Sequence, residues 1–218
     1  MPRIIDLILS VFALIILLPI LIPVSLILLF TGENQVFYLQ ERVGFKNKNF
    51  KIIKFATMLK NSPNMGSGSL TLQNDSRVLP FGKFLRKTKL NELPQIFNII
   101  KGDISIVGPR PQMHVDFEKY TKFVQNRIYN IKPGLTGIGS IVFRDEESII
   151  SKASIEENPH DFYKRVIAPY KGELELWYQS KKSFSLDMIL IIITILVVLN
   201  PKSRIHEKIF VDLPKRKF

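Results

Sequence analysis

The chain has 218 residues and a formal net charge of +12, from 31 Lys and Arg against 19 Asp and Glu. It contains no cysteine, which excludes disulfides, cysteine-bound zinc and thiol nucleophiles. The positive charge favours an anionic partner, which can be a bilayer surface, a phosphorylated substrate or nucleic acid. The length is enough for one domain together with membrane elements.

Residues 7–30 form an uncharged and mostly apolar block, LILSVFALIILLPILIPVSLILLF. A bilayer requires about 20 such residues, so the block is long enough to cross one. It is longer than the apolar core of a signal peptide, about 7–15 residues, and no small-residue cleavage site follows it. Pro19 and Pro23 each remove a backbone donor and predict a bend in mid-helix. The sequence therefore predicts a membrane helix over residues 1–31.

The charges around this block indicate its topology. Arg3 precedes it, and a basic group follows it, consisting of Arg42, Lys46, Lys48, Lys51 and Lys54. Basic residues on both sides favour the cytoplasm for both ends. A re-entrant helix that turns back at Pro19 satisfies this pattern, and a kinked single span is the alternative.

After Gly32 the chain is mixed in character and predicts an α+β domain. Residues 35–40 and 49–58 are rich in β-branched and aromatic side chains and predict two short strands. Residues 104–107 predict a buried strand. Residues 113–129 carry apolar side chains at helical spacing and predict a helix that packs on the core.

A further helix is predicted to begin between Thr88 and Asn91 and to end at Gly102. Glu92 suits the positive end of the helix dipole, and Pro94 is tolerated in a first turn whose N–H groups are unpaired. Near the C-terminus, residues 173–182 mix aromatic and basic side chains in a way typical of a bilayer interface. The apolar run 188–199 is too short to span. These segments predict amphipathic interfacial helices.

Residues 83–111, KFLRKTKLNELPQIFNIIKGDISIVGPRP, are the most informative stretch. They combine a basic strip, a carboxylate at a helix start, a Gly-Asp break and a Pro-Arg-Pro turn. Arginine is suited to forked phosphate contacts, so the stretch indicates a phosphate site. The alternative is that the basic strip is only a solvated face.

This stretch closely resembles the signature of the bacterial sugar transferases, the monotopic phosphoglycosyl transferases, and the resemblance extends from about Arg3 to Val198. It implies a re-entrant membrane helix, a small cytoplasmic transferase domain over residues 32–200 and a basic tail over residues 201–218. It also implies Mg²⁺ as cofactor and transfer of a sugar 1-phosphate from a UDP-sugar to polyprenyl (undecaprenyl) phosphate, releasing UMP. That reaction initiates a bacterial surface glycan on the cytoplasmic face of the inner membrane, where membrane lipid is a further partner.

By this resemblance, the candidate substrate-binding residues are Lys54, Arg77, Arg86, Pro109, Arg110 and Pro111. The chain departs from the family pattern at its centre, because Asn91-Glu92 stands where the family has a catalytic Asp-Glu pair. In the family the aspartate attacks the sugar-bearing phosphorus. An asparagine can ligate a metal through its oxygen but has no anionic oxygen with which to attack.

Three hypotheses about the mechanism remain open. In the first, the roles of nucleophile and metal ligand pass to Glu92 or to the acidic cluster Asp145-Glu146-Glu147. This cluster stands where the family has a near-neutral loop. Alternatively, the lipid phosphate attacks directly, or the chain is a catalytically silent scaffold. The candidate catalytic residues are Glu92, Asn91, Asp145 and Glu146, with Glu92 also the predicted metal ligand.

A membrane-tethered nucleic-acid binder is supported by charge alone, and the sequence contains no recognisable binding module, so no nucleic-acid partner is expected. The sequence leaves the oligomeric state open, a homo-oligomer included.

Overall fold

The computed structural model describes residues 1–200, 203–216 and 218. It mixes helices with short strands, as the α+β prediction requires. The first helix, α1 (Arg3–Phe30), has 28 residues and holds both Pro19 and Pro23 inside it. It is the one helix in the described residues that is long and apolar enough to cross a membrane.

Both ends of α1 contact the same domain. Arg3 donates to the carbonyl oxygens of Ile99 and Ile100 at 2.5 and 2.6 Å. Asp6 accepts from the Ser105 hydroxyl and from the N–H of Ile106. Near the other end, three leucine and valine side chains pack against the domain, namely Leu21, Val24 and Leu28. The middle of the helix is exposed and apolar.

Two strands form an antiparallel hairpin that confirms the predicted pair. β1 (Phe37–Val43) pairs with β2 (Asn49–Phe55), with Phe37 opposite Phe55 and Val43 opposite Asn49. The first strand lies later in the chain than predicted, because pairing with β2 carries it on to Val43. Phe55 is buried against the packed end of α1.

A second, parallel pair lies at the centre of the domain. β3 (Ser105–Val107) confirms the predicted buried strand, and it pairs with β4 (Gly134–Thr136). A side chain on Gly134 would place its Cβ 2.1 Å from the backbone nitrogen of Gly108, so the two backbones approach too closely for any other residue. This close contact fixes the start of the Pro-Arg-Pro turn.

The remaining elements are mostly short helices. They are α2 (Pro80–Lys87), α3 (Gln95–Lys101), α4 (His114–Phe117), α5 (Lys122–Gln125), α6 (Ile138–Val142), α7 (Glu146–Ala153), α8 (Pro159–Phe162), α9 (Ala168–Lys181), α10 (Phe184–Leu199) and α11 (Ile205–Ile209), with 3₁₀ turns at Phe45–Asn47, Ser62–Asn64 and Leu90–Glu92 and a π turn at Tyr163–Ile167.

Two helix predictions need correction. The helix expected from residues 88–91 forms only a 3₁₀ turn there, and α3 begins at Gln95, because Lys89 is left-handed (φ 61°) and Pro94 takes the position before the helix. It ends before Gly102, as predicted. The single helix expected over residues 113–129 is split into α4 and α5, since the Thr121 side chain caps a new start by accepting from Val124 N–H.

The apolar stripe of that segment is nevertheless buried as predicted, at Phe117, Tyr120, Val124 and Ile128. It packs with α9 and α10 in the main core, which also takes in Phe210 and Leu213. The described part of the predicted tail therefore packs against the domain. Residues 201, 202 and 217 of that tail lie outside the described residues.

Candidate active site

A central cavity of about 660 Å³ opens between the hairpin, the 3₁₀ turn Leu90–Glu92 and α9. Seven of the sequence-predicted site residues line it: Lys54, Arg77, Arg86, Asn91, Glu92, Arg110 and Glu146. Pro109, Pro111 and Asp145 are absent from its lining. The cavity also reaches apolar residues of α10, including Ile191 and Ile195.

Glu92 and Arg110 form an ion pair at the centre of this cavity. The Arg110 Nη2 lies 2.7 Å from Glu92 Oε1, and both side chains are largely removed from solvent. Burial would raise the pKa of Glu92, but Arg110 and Lys54 hold it well below its usual range. The same carboxylate raises the pKa of Arg110. Both groups are therefore ionised at neutral pH, and the Glu92 carboxylate holds the Arg110 guanidinium at the cavity wall.

The Pro-Arg-Pro turn positions Arg110 through its backbone. The Arg110 carbonyl accepts from the Tyr129 hydroxyl at 2.9 Å, and its N–H donates to Glu175 Oε1 at 3.4 Å. The Pro111 carbonyl accepts from Arg42 at 3.1 Å. Pro109 and Pro111 therefore shape the turn and do not contact the cavity.

Three cations line the cavity without a hydrogen bond or ion pair to any residue that the structure describes. They are Lys54, Lys89 and Arg144. Burial lowers the pKa of each of them, most strongly that of Lys54, where Arg42 lowers it further. Such a group of unpaired cations suits an anionic ligand. Sequence reasoning had singled out Lys54 but missed Lys89, although Lys89 belongs to the basic strip, and missed Arg144 and Arg42.

Arg77 has a different environment from the one expected. Its side chain is 3% exposed, and its nitrogens donate to four loop carbonyls and to the Asp75 carboxylate. The four carbonyls are those of Ser62, Met65, Gly68 and Leu70. Since every donor is occupied, this geometry does not support the prediction that Arg77 binds a substrate phosphate. Arg77 instead holds the loop that forms one wall of the cavity.

The acidic cluster is divided by the fold. Glu147 lies 2.5 Å from Arg86, and Glu146 lies 2.6 Å from the buried Lys171. Asp145 does not line the central cavity; its side chain is about half exposed and lies 3.4 Å from Arg216. The structure therefore brings Glu146 to the central cavity but does not support a catalytic role for Asp145.

Two buried oxygens at the cavity have no hydrogen-bond partner among the described residues. One is Oδ1 of Asn91, and the other is Oε2 of Glu175. Burial raises the pKa of Glu175 to about 8, so its carboxyl is protonated at neutral pH. A Cβ on Gly139 would lie 2.2 Å from Glu175 Oε1, so a side chain there would displace the Glu175 carboxyl. Sequence reasoning missed Glu175, whose only signal was a carboxyl group within an aromatic helix.

The fit of a magnesium ion can be judged from these oxygens. Among the described residues no group of three or more His, Cys, Asp or Glu side chains could hold a metal ion. Magnesium is often held by only one or two carboxylates together with substrate phosphates. Glu92 and the unpartnered Asn91 Oδ1 fit an ion that arrives with a diphosphate.

Comparison with known proteins identifies relatives of the chain. The chain is 30% identical over 89% of its length to the UDP-N-acetylgalactosamine-undecaprenyl-phosphate N-acetylgalactosaminephosphotransferase of Aeromonas hydrophila, and covers 42% of that protein. It is 33% identical over 91% of its length to the UDP-glucose:undecaprenyl-phosphate glucose-1-phosphate transferase of Xanthomonas campestris pv. campestris, and covers 38% of it. The chain thus spans about two fifths of the length of these two relatives.

A shorter relative is covered more fully. The exopolysaccharide production protein ExoY of Sinorhizobium fredii is 33% identical over 69% of this chain, which covers 73% of ExoY. Residues 1–201 match the family described as Bacterial sugar transferase. That match takes in the Asn91-Glu92 turn, the Pro-Arg-Pro turn and the whole central cavity, and the chain therefore belongs to the bacterial sugar transferase family.

Proposed function

We propose that the chain transfers a sugar 1-phosphate from a UDP-sugar to undecaprenyl phosphate and releases UMP, as the first step of a bacterial surface glycan such as a capsule, exopolysaccharide or O-antigen. The observation that carries this proposal is the Glu92–Arg110 pair beside three unpaired cations in one cavity. The names of the Aeromonas and Xanthomonas relatives support the donor and acceptor classes. They name different sugars, so the choice of sugar stays open.

The cations answer the main physical difficulty of the reaction. Two anions, the donor diphosphate and the acceptor phosphate, must approach each other at the sugar-bearing phosphorus. Arg110, Lys54, Lys89 and Arg144 offset that repulsion in a partly buried site, where charge interactions are stronger than in water. Arg86 lines the same cavity but is paired with Glu147.

The surroundings of the carboxylates favour direct attack by the acceptor. The ionised carboxylates that line the cavity are each paired with a cation: Glu92 with Arg110, Glu146 with Lys171, Glu147 with Arg86 and Asp116 with Lys119. Glu175 is protonated at neutral pH, and a carboxylic acid is a poor nucleophile. An acceptor phosphate oxygen therefore forms the new bond to the sugar-bearing phosphorus. The bond from that phosphorus to the bridging oxygen breaks, and UMP leaves with the oxygen and the electron pair.

Magnesium, when bound, would neutralise charge on the diphosphate. Glu92 and Asn91 would hold it, because Asn91 offers a buried oxygen that has no partner among the described residues. Asn91 is thereby a ligand in this proposal and takes no part in covalent chemistry.

We also propose that α1 is re-entrant and that the domain lies on the cytoplasmic face of the inner membrane. A straight helix of 28 residues is about 42 Å long. A span would carry Arg3 and Asp6 to the far side, whereas both contact the domain that packs against Leu21 and Leu28. Single cysteines at positions 3 and 42, labelled from outside intact cells, test this topology, since the chain has no cysteine of its own. Labelling of the N-terminal position alone would establish a span.

The transfer itself is tested by UMP release from a panel of UDP-sugars, with magnesium and undecaprenyl phosphate in bilayer discs. We expect UMP release only when donor and acceptor are both present. Mass spectrometry of the protein after mixing with UDP-sugar alone should find no phosphosugar adduct. An adduct on Glu92 would replace direct attack by a covalent path, and no UMP release from any donor would favour the scaffold hypothesis.

A further inference from the structure

A second cavity, of about 700 Å³, lies beside the first, and we name it the C-terminal cavity. Most of its lining comes from residues 203–216 and Phe218, and the rest from α6, α9, α10 and the pair Arg144 and Asp145. The C-terminal residues lie beyond the segment 1–201 that matches the family. The cavity is therefore a feature of this chain that the family match does not explain.

The C-terminal segment is held firmly enough to form a wall. Phe210 and Leu213 are buried in the main core. The Tyr170 hydroxyl donates to the Pro214 carbonyl at 2.9 Å, and the Trp177 indole donates to Asp212 at 3.1 Å. These contacts fix the segment against α9 at several points along its length.

The lining carries more positive than negative charge, and its cations are poorly paired. Arg144 and Lys215 make no hydrogen bond or ion pair with the part of the chain that the structure describes. Arg216 reaches Asp145 only at 3.4 Å, and its buried Nε has no partner among the described residues. His206, 7% exposed, has a buried Nδ1 that also lacks a partner there. Within the described part of the chain, the buried Nε–H of Arg216 is a donor without an acceptor, which is costly, and it stands beside the unpaired charges of Arg144 and Lys215, so an anion in the cavity would be stabilised.

The position of the C-terminal cavity indicates which kind of anion would bind there. Arg144 lines both cavities, and so do Ile141 and Val197. Val211, at the wall of the C-terminal cavity, is 82% exposed, and Leu199 at the end of α10 is 77% exposed. The C-terminal cavity thus adjoins the central cavity, where phosphate transfer is proposed, on one side and an exposed apolar surface on the other.

We propose that the C-terminal cavity is a second phosphate site, which binds a phosphate monoester through Arg144, Lys215 and Arg216. Two sources carry that chemistry, a prenyl phosphate in the bilayer and soluble phosphate, and the experiment separates them. Binding at this site does not require the proposed transfer reaction, so it is measured without turnover.

The test is equilibrium binding to the full chain in bilayer discs. One arm titrates radiolabelled inorganic phosphate, and the other titrates undecaprenyl phosphate built into the discs. In the double variant Lys215→Gln, Arg216→Gln, the dissociation constant of one binding site should rise about tenfold for at least one of the two probes. The reason is that a charged hydrogen bond to the phosphate is lost. Lys208→Gln, an exposed change on α11 outside the cavity lining, is the matched control and should bind as the unaltered chain does.

Weaker binding of undecaprenyl phosphate by the double variant identifies the prenyl phosphate as the ligand. Weaker binding of inorganic phosphate identifies free phosphate. Unchanged affinity and stoichiometry in both arms would overturn the proposal. Because Arg216 packs over the Phe143 ring, the single variants Lys215→Gln and Arg216→Lys accompany the double one. Lys215→Gln removes only an exposed side chain and should weaken binding by itself, whereas Arg216→Lys keeps the charge and should retain most of it. If Lys215→Gln binds as the control does, the proposal fails even if the double variant does not fold.

Discussion

The loop before Arg77 and the turn around Arg110 each place an arginine at the central cavity, but the two regions use the side chain in opposite ways. All the guanidinium donors of Arg77 are taken by its own loop and by Asp75. Arg110 is 30% exposed, faces the cavity and shares its charge with Glu92. One arginine stabilises a wall of the cavity, and the other faces into the cavity in an ion pair with Glu92.

The difference comes from the backbone around each residue. The loop before Arg77 contains Gly66 and Gly68, both with positive φ, and it directs several carbonyls toward the guanidinium. In the Pro-Arg-Pro turn the carbonyls of Arg110 and Pro111 are already used by Tyr129 and Arg42. In this chain, the acceptors that the nearby backbone offers to Arg77 are not offered to Arg110.

The largest expected effect is on stability, from Arg77→Ala. It leaves Asp75 and several buried carbonyls without their donor, so the free energy of unfolding should fall by about 3–5 kcal/mol. Chemical denaturation measures it, with the exposed Lys83→Ala as control. Wild-type stability together with a raised KM for UDP-sugar would show that Arg77 is a phosphate ligand after all.

Next in size is the effect of Glu92→Gln on transfer. The change removes the charge that holds Arg110 and the carboxylate offered to magnesium, so UMP release should fall by about 100-fold. Glu118→Gln, an exposed change outside the central cavity, should be without effect. If Glu92→Gln released UMP at nearly the rate of the unaltered chain, Glu92 would have no role in transfer.

A graded effect of pH, smaller for each pH unit than either of these two, is expected through Glu175. Its pKa is raised from 4.5 to about 8, so between these values the folded chain holds a proton that the unfolded chain has lost. Stability should therefore fall as pH rises through that window, by up to about 1.4 kcal/mol per pH unit, and level off above it. Denaturation across the window measures the slope, which Glu175→Gln should flatten. An equal slope in both proteins would contradict the protonated carboxyl.

The smallest effect is expected from Asp145→Asn. Because this side chain is exposed and outside the central cavity, its loss should change UMP release by less than about twofold. Glu146→Gln is the comparison, since it leaves the buried Lys171 without its partner and should lower both stability and rate. A complete loss of transfer in Asp145→Asn would restore the acidic cluster as the source of the nucleophile.

The predicted site residues that lie close together in the chain also lie close together in the structure. Glu92, Arg110 and the helix end at Gly102 lie within one stretch whose residue types carry their own geometry. Both strands of the hairpin were predictable for the same reason, from their side chains and the turn between them.

The rest depends on packing between distant segments. Glu175 and Lys171 reach the cavity because α9 packs against α6, and this packing is not encoded in a local sequence pattern. The adjacent residues Asp145 and Glu146 face different cavities because α7 begins between them. The burial of Arg77 likewise follows from the path of a loop rich in glycine and serine, whose course composition alone does not predict.

We propose that Arg110 presents its guanidinium to the donor phosphate and that Arg77 does not. The most direct test is UMP release by Arg110→Lys, which keeps the charge and loses the forked contact, measured beside Arg77→Lys with saturating undecaprenyl phosphate. We expect Arg110→Lys to release UMP about tenfold or more slowly at an unfolding free energy near that of the unaltered chain. In Arg77→Lys we expect the loss to be confined to stability. An unaltered rate in Arg110→Lys, or the reverse pattern in the two variants, would contradict it.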